Sequence, residues 1–141
     1  MGALAQLQGI GPDRLEAFAG WVAAHAHTHL PFVAEIDGYV VGAAWLHIAQ
    51  RVPRGETLDR RYGDVQSVMV REEYRNQGIG AALMAAILAE ARTRGLLHVA
   101  VTRLEAAWDG MDPQDQSLIL DVLNLVASRH PRAQGPVHRA G

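Results

Sequence analysis

The sequence VMVREEYRNQGIGAAL, residues 68–83, joins an apolar run to an alanine-rich segment through a polar loop. The apolar run before the loop is rich in strand-forming residues, and Leu83, Ile87 and Leu88 recur at the spacing of one helix face. Gly78 and Gly80 stand where that helix would begin, although glycine is conformationally costly at such a position. The segment therefore predicts a strand, a loop and a helix, with a loop backbone that a ligand approaches closely.

The segments around this loop predict a sheet of mixed direction. Two β-rich runs joined by Asp37-Gly38 are a strong signal for a hairpin. The predicted elements are strands over 32–36, 39–48, 64–70 and 96–101 and a helix over 78–94, which Gly95 terminates. A strand, a helix and a further strand imply two parallel strands joined by a crossover. We expect an α/β fold in which an antiparallel hairpin leads into a parallel strand-helix-strand unit.

The remaining segments complete a single domain over residues 1–141. We expect a first helix opened by Gly11-Pro12-Asp13, with Asp13 as its cap, and a helical region that Pro31 ends. The predicted outer parts are a short first strand over 4–7, a polar loop over 51–63, a helix over 114–128 and a loose tail after it.

The composition excludes several classes of function. The chain has 141 residues, 49% of them hydrophobic, a formal charge of -2 and no cysteine. Disulfides and thiolate chemistry are therefore excluded, and the charge gives no reason to expect binding to nucleic acid or an anionic membrane. No basic, apolar leader is visible at the N-terminus, so we expect a cytoplasmic protein. Every basic residue is arginine, which suggests a GC-rich bacterial source.

Two common phosphate-binding motifs do not fit the glycines. A dinucleotide-binding motif requires a third glycine where Leu83 stands, and it turns directly from strand into helix. Here seven residues separate Val70 from Gly78. A P-loop requires a lysine, and the sequence contains none.

The physical requirement that these motifs meet is nevertheless present. The first turn of a helix has unsatisfied N–H groups and a positive dipole end, which favour a bound anion. Glycine at 78 and 80 removes Cβ atoms that would hold a diphosphate away, and Arg75 adds a positive charge. The spacing Arg-x-x-Gly-x-Gly, after a strand and before an amphipathic helix, resembles the acetyl-CoA loop of the GNAT N-acetyltransferase superfamily. The resemblance is strongest over residues 12–101 and weakens over 102–141.

The resemblance implies a coenzyme site and a reaction. The co-substrate would be acetyl-CoA, and the acceptor would be an amine of a small molecule or peptide that attacks the thioester directly. The pantetheine arm would pair with the strand that ends at Val70, and an amide near Met69 or Val70 would stabilise the oxyanion. The coenzyme-binding residues implied are Val68, Met69, Val70, Arg75, Asn76, Gln77, Gly78, Ile79, Gly80 and Ala81.

Two carboxylates are candidates for the general base. Asp64 falls where some members of the superfamily place a catalytic glutamate, at what we expect to be the beginning of a strand. A solvated residue that caps a turn is the alternative for Asp64. Glu35, on the predicted hairpin, is the second candidate.

The C-terminal sequence departs from the superfamily pattern. Most members have a tyrosine there that protonates the leaving thiolate, whereas no tyrosine or phenylalanine follows Tyr74. A non-catalytic acyl-CoA-binding or protein-interaction domain is therefore the alternative function. An incomplete sheet would leave edges to cover, and a homodimer is one way to cover them.

Histidine and tryptophan give weaker signals. His25, His27 and His29 could form a metal site, but no carboxylate lies among them, and a helix C-terminus also favours histidine. We expect no metal there. Trp21 and Trp45 are expected in the core.

Overall fold

The computed structural model describes residues 1–96, 98–101 and 137–140. These residues form one sheet with the strand order β4-β3-β2-β1-β5, in which β3 and β4 are parallel and the other neighbours antiparallel. The strands are β1 (His29–Ile36), β2 (Tyr39–Gln50), β3 (Arg61–Val70), β4 (Val99–Val101) and β5 (Val137–Arg139). The helices are α1 (Gly2–Leu7), α2 (Leu15–Ala24) and α3 (Ile79–Thr93). The predicted α/β fold with a mixed sheet is confirmed.

The β1–β2 hairpin turns at Asp37-Gly38, as predicted. Asp37 has a φ of 50° and Gly38 a φ of 80°, so both central residues are left-handed. A two-residue turn of this kind matches the twist of the strands that it joins.

Helix α3 packs on one face of the sheet and forms the larger core. Leu83, Met84 and Ile87 of α3 are fully buried together with Val65 and Val68 of β3. Helix α3 approaches β2 closely at Gly42. A Cβ there would lie 3.0 Å from the Met69 carbonyl oxygen and 3.1 Å from Cγ2 of Ile79. This contact fixes the first turn of α3 beside the end of β3.

Helices α1 and α2 cover part of the opposite face. Leu4 and Val22 pack there against Val33 and Trp45. Arg71, just after β3, holds α1 in place by donating hydrogen bonds to the backbone oxygen of Val40 and to Oε1 of Gln6. On the β3 side of this face, Asp64 and Gln66 remain partly exposed.

The structure corrects the predictions for the first strand and for the C-terminal tail. Residues 4–7 lie in α1 and not in a strand: Leu4 and Ala5 are buried, and Leu4 packs with Val33 and Trp45 on the face of the sheet instead of extending it. The edge beside β1 is occupied by β5, which lies in the tail that the sequence predicted to be loose. The helix predicted over 114–128 lies outside the described residues.

Several predicted boundaries also change. Asp13 does not act as the predicted helix cap: it lies within the turn Pro12–Arg14, α2 begins at Leu15, and neither start has a side-chain cap bond in the described structure. Pro31 does not end a helical region but lies inside β1, which begins at His29. Its carbonyl accepts a hydrogen bond from the Ala140 N–H, so its nitrogen also faces the β5 side and the β1–β2 ladder loses no donor. Strand β3 begins at Arg61, inside the predicted loop. In the described chain, no helix has the length and apolarity needed to cross a membrane.

Candidate functional site

Strand β3 reverses the direction of its hydrogen bonds part of the way along. The Gly63 N–H donates towards β4, to the His98 oxygen, whereas the Arg71 N–H donates towards β2, to the Val41 oxygen. Arg71 is eight positions after Gly63, an even number, so a regular strand would direct both N–H groups to the same side.

A β-bulge accounts for the reversal. The ladder pairs Trp45 with Gln66 and Ala43 with Met69, which leaves β3 one residue longer than β2 between these pairs. Ser67 in this interval has a left-handed φ of 53°. Bulges of this kind re-aim the backbone and occur often beside active sites.

The bulge directs backbone amides away from β2. Gly63 faces β4 and Arg71 faces β2, so alternation from these two ends directs Gln66 and Met69 towards β2. By the same alternation the Val68 amide, next to Met69, is directed away from β2. Val70 also faces outward, because its carbonyl accepts a hydrogen bond of 3.3 Å from Nε of Arg75. Within the described residues, β4 pairs with β3 only from Gly63 to Val65. The outward amides of Val68 and Val70 therefore lie beyond the part of this edge that β4 covers.

The loop after β3 opens the N-terminus of α3. Asn76 and Gly78 have left-handed φ angles of 64° and 77°. Among the described residues, and apart from its chain neighbours, none lies within 4 Å of a Cβ placed on Gly78. Glycine is therefore favoured there by its backbone angle, and the space beside it is open. The loop thus combines a turn that ordinary residues rarely adopt with room for a ligand.

The first turn of α3 has the features of an anion site. The first intrahelical bond runs from the Ala82 N–H to the Gly78 oxygen, so the amides of Ile79, Gly80 and Ala81 have no acceptor within the helix. In the described structure no side chain caps this end, and its first turn contains no acidic residue. Arg75 is held beside it by the bond to Val70. A diphosphate would therefore meet free amides, a positive dipole end and a guanidinium.

The structure separates the two predicted carboxylates. Asp64 is the fourth residue of β3 and does not begin it, which corrects the expected position. Its Oδ2 accepts a hydrogen bond of 3.0 Å from Nε2 of Gln66, on the face opposite α3. Oε1 of Glu35 lies 3.3 Å from Nε2 of His138, at the other edge of the sheet, where β1 pairs with β5.

The ladder gives the separation of these carboxylates. Asp64 is opposite His47, and Glu35 is opposite Val40, at the other end of β2. Those two β2 positions are seven residues apart, or about 23 Å along the strand. Asp64 lies on the strand with the bulge, and Glu35 does not share its site.

Three histidines, His25, His29 and His47, form an aromatic cluster with Trp21. His25 stacks on Trp21 with ring centroids 4.2 Å apart, and His29 stacks on His47 at 4.4 Å. Burial and the neighbouring His47 and His25 lower the pKa of His29. Among the described residues, no group of three or more histidine or acidic side chains has the geometry of a metal site. Trp45 is buried as predicted, whereas the prediction for Trp21 is wrong because 43% of it is exposed.

One cluster was missed by the sequence analysis. Arg51, Tyr62 and His98 meet at the end of the sheet that lies away from the bulge. They come from three separate segments, and no short motif joins them. The sequence signal was limited to an arginine and an aromatic residue at the two ends of the predicted 51–63 loop.

Known proteins resemble this chain both in sequence and in structure. The chain matches the sequence model of the acetyltransferase (GNAT) family over residues 6–108. A similar structure is an acetyltransferase from Trypanosoma brucei, with 24% identity, 77% of each chain covered and a TM-score of 0.58. Another is a predicted acetyltransferase from Clostridium acetobutylicum, solved with acetyl-CoA, with 15% identity, 91% of this chain and 88% of that chain covered, and a TM-score of 0.60.

A third similar structure is AAC(6')-Iy in complex with the bisubstrate analogue CoA-S-monomethyl-acetylneamine. It has 19% identity and a TM-score of 0.57, with 94% of this chain and 84% of that chain covered. At these identities the structural likeness shows a shared fold.

Proposed function

The chain belongs to the acetyltransferase (GNAT) family, and from this premise we propose that it transfers an acetyl group from acetyl-CoA to an amine of a small molecule or peptide. The observation that carries the proposal is the open N-terminus of α3 beside the outward amides of β3. It supports a coenzyme that combines a diphosphate with an extended, amide-containing arm.

The proposed coenzyme contacts follow the direction of each backbone group. The diphosphate is held by the amides of Gln77 to Ala81 and by Arg75, while the left-handed angles of Asn76 and Gly78 shape the loop around it. The arm lies along the outer edge of β3 and pairs with Val70, as an added strand would.

Val68 is the better placed of the strand amides to donate a hydrogen bond to the oxyanion that develops on the thioester. The Met69 amide faces β2, in the ladder with Ala43, and is less suited to this role than the sequence suggested. The Val68 amide lies outside the ladder and is nearer to Asp64 than Val70 is. A backbone donor fixed at the thioester oxygen lowers the barrier without having to reorganise.

Bound acetyl-CoA would supply an activated acetyl group with a thiolate leaving group. The protein's task is to align the acceptor nitrogen with the thioester carbon and to remove a proton from the ammonium form of the acceptor. The base takes the first proton from the ammonium, and the neutral amine then forms the C–N bond. The C–S bond breaks with its electron pair going to sulfur, and the second proton on nitrogen passes to the leaving thiolate or to water. We assign the base to Asp64, which lies four residues from Val68, about 13 Å along the strand, and therefore acts through intervening water.

Thiol release from acetyl-CoA in the presence of a broad panel of amines and peptides tests this function. We expect acceptor-dependent release of coenzyme A, with a stoichiometric acetylated product detected by mass spectrometry. Coenzyme binding without acceptor-dependent release across the panel would contradict the catalytic proposal.

A non-catalytic acyl-CoA-binding domain is the second candidate. It is favoured by the absence of tyrosine from the sequence after Tyr74, which removes the usual proton donor for the thiolate. A thiolate can also leave without full protonation, since thiol pKa values lie near 8.5. Turnover of any acceptor in the panel decides against this candidate.

A further inference from the structure

The cluster of Arg51, Tyr62 and His98 lies on the same sheet face as Asp64. Side chains alternate between faces along a strand, and a Cβ on Gly63 would meet Leu46 and Leu96 on the α3 side. Tyr62 and Asp64, on either side of Gly63, therefore point to the opposite face. The cluster and the proposed base share one surface.

Arg51 is held in this cluster by two aromatic rings. Its Cζ lies 4.8 Å from the ring centroid of Tyr62, and its Nη2 donates to Nε2 of His98 at 3.2 Å. A guanidinium has no acceptor, so the His98 Nε2 is the accepting atom. Tyr62 and His98 stack at 5.3 Å with an interplanar angle of 12°.

The charge of Arg51 is not neutralised by a carboxylate in the described part of the chain. The ion pairs there join Arg61 to Asp59, Arg94 to Glu90 and His138 to Glu35. Arg51 is exposed and retains further N–H donors, since its contacts are the two rings. A guanidinium fixed on an aromatic platform is well suited to binding a carboxylate in two-point geometry.

The cluster is a long way from the proposed reaction centre. Tyr62 and Val68 are six residues apart on β3, which corresponds to about 20 Å along the strand, or about 17 Å if the bulge removes one residue's rise. The surface between them carries the polar side chains of Asp64 and Gln66. A single amino acid or a small diamine cannot span this distance, whereas five or six residues of extended peptide span about 17–20 Å.

We propose that the acceptor is an extended peptide whose N-terminal amine lies beside Val68 and whose acidic side chain, at its fourth to sixth residue, binds Arg51. This inference rests on the proposed acetyltransferase function and names its acceptor class. The peptide runs along β3 over Gln66 and Asp64. Because Asp64 is itself a carboxylate, an acidic residue at the second or third peptide position is disfavoured.

Peptides with one glutamate moved from position 2 to position 8 test the register. Each is compared with the matching glutamine peptide, by kcat/KM for acetylation and by fluorescence anisotropy of a labelled C-terminus. We expect glutamate at positions 4–6 to raise kcat/KM and affinity about tenfold over glutamine, the scale of one charge-assisted hydrogen bond. Arg51→Gln is expected to remove this preference, so that each glutamate peptide and its matching glutamine peptide have the same kcat/KM and affinity.

Arg54→Gln is the matched control. Arg54 lies at the tip of the same loop, where its backbone bonds to Thr57, and its loss removes the same charge from outside the cluster. We expect this variant to keep the glutamate preference. A preference that survives Arg51→Gln, or that disappears equally in Arg54→Gln, would overturn the inference.

The remaining outcomes separate the two proposals. Acetylation of small amines with no peptide acetylated or bound would overturn the peptide inference and keep the acetyltransferase function. Glutamate-dependent peptide binding that Arg51→Gln abolishes, without turnover of any acceptor, would support the binding site and contradict the catalytic proposal. Peptide affinity that does not depend on glutamate position would overturn the inference whether or not catalysis is observed.

Discussion

Asp64 and Glu35 are both carboxylates on the sheet, yet their surroundings differ. Asp64 lies on β3, where it accepts a hydrogen bond from Gln66, four residues before the outward amide of Val68. Glu35 lies two strands away, beside His138 of β5. The sequence ranked Asp64 before Glu35 through the resemblance to the superfamily, but it could not show how far apart the two residues lie, since that depends on which strands are neighbours.

Asp64→Asn is expected to lower kcat about 100-fold with a small change in the KM for acetyl-CoA. The substitution keeps the shape of the side chain and removes its proton-accepting charge, and general-base catalysis contributes at least about this factor. Steady-state kinetics with a reactive acceptor checks the prediction. Glu35→Gln is the control and should stay within about twofold of wild type, while equal losses in both variants would contradict the assignment.

Trp45 shows a second residue-level effect. Its side chain is 4% exposed and packs edge to face with Phe18 and Trp21. Among the described residues, its Nε1 is buried without a hydrogen-bond partner. A buried donor of this kind costs about 1–3 kcal/mol, which offsets part of what the ring contributes by packing.

Trp45→Phe is therefore expected to be mild and Trp45→Ala severe. The phenylalanine keeps most of the apolar contacts and removes the unsatisfied N–H, so we expect a loss of about 1 kcal/mol or less in the free energy of unfolding. The alanine leaves a cavity and should cost about 3–5 kcal/mol. Urea denaturation of both variants measures the difference, and a phenylalanine variant as unstable as the alanine variant would show that the N–H is satisfied.

At the level of elements, the turn and the helix ends that depend on local sequence were predicted well, whereas contacts at the edges of the sheet were not. The β1–β2 turn and the ends of α3 follow from Asp37-Gly38, Gly78 and Gly95, whose left-handed angles suit the residues at these positions. The bulge at Ser67 was not predicted, because serine carries no signal for a left-handed angle and the mismatch of register appears only when β2 and β3 pair.

Strand β5 depends on contacts between distant parts of the chain. Its three residues pair with Phe32 to Ala34, more than one hundred residues earlier in the sequence. Such pairing is invisible to local propensity, and the flanking Pro136 and Ala140 gave no strand pattern. The edge next to β1 is thereby covered by the chain itself within the described residues.

Ala140→Pro tests the contribution of this strand. Proline removes the N–H that donates to the Pro31 oxygen at 2.8 Å, a loss of about 1 kcal/mol or more. We expect the melting temperature to fall by about 3–5 °C and the exposed β1 edge to promote self-association. Differential scanning calorimetry and light scattering provide the measurements. Ala140→Ser keeps the N–H and should behave as wild type, and an unchanged melting temperature in the proline variant would contradict the role of β5.

At the level of the whole molecule, tertiary structure brings together side chains that are distant in the sequence. The histidine cluster joins the end of α2 to β1 and β2, where His29 contacts both His25 and His47. The spacing of His25, His27 and His29 was considered as a metal site in the sequence, although we expected no metal there. In the structure His29 belongs to a strand, and its partner His47 comes from the next strand.

This cluster predicts a loss of stability in mild acid. The pKa of His29 is lowered in the folded protein, first by burial and then by His47 and His25, whereas an unfolded histidine titrates near 6.5. Below about pH 7 the unfolded chain therefore binds more protons than the folded one. The free energy of unfolding falls as the pH decreases through 6.5 and stops falling once the pH is below the folded pKa.

Urea denaturation between pH 5 and 8 measures this slope. We expect a shallower slope in His29→Gln than in wild type, because the group with the lowered pKa is gone. His27→Gln, which removes an exposed histidine from the same segment, is the control and should keep the wild-type slope. Identical slopes in all three proteins would contradict the prediction.

The account as a whole depends on whether the open N-terminus of α3 binds acetyl-CoA. Gly78 and Gly95 provide a matched pair, since they flank the two ends of α3 with φ angles of 77° and 68°. Alanine at either position should cost about 1–2 kcal/mol of backbone strain, and at position 78 that strain falls on the proposed coenzyme loop.

Isothermal titration calorimetry of acetyl-CoA into the wild type, Gly78→Ala and Gly95→Ala is the most direct test. The account predicts saturable binding to the wild type at tens of micromolar protein, affinity at least about tenfold weaker in Gly78→Ala and wild-type affinity in Gly95→Ala. No detectable binding to the wild type, or equal weakening by the two substitutions, would contradict the coenzyme site.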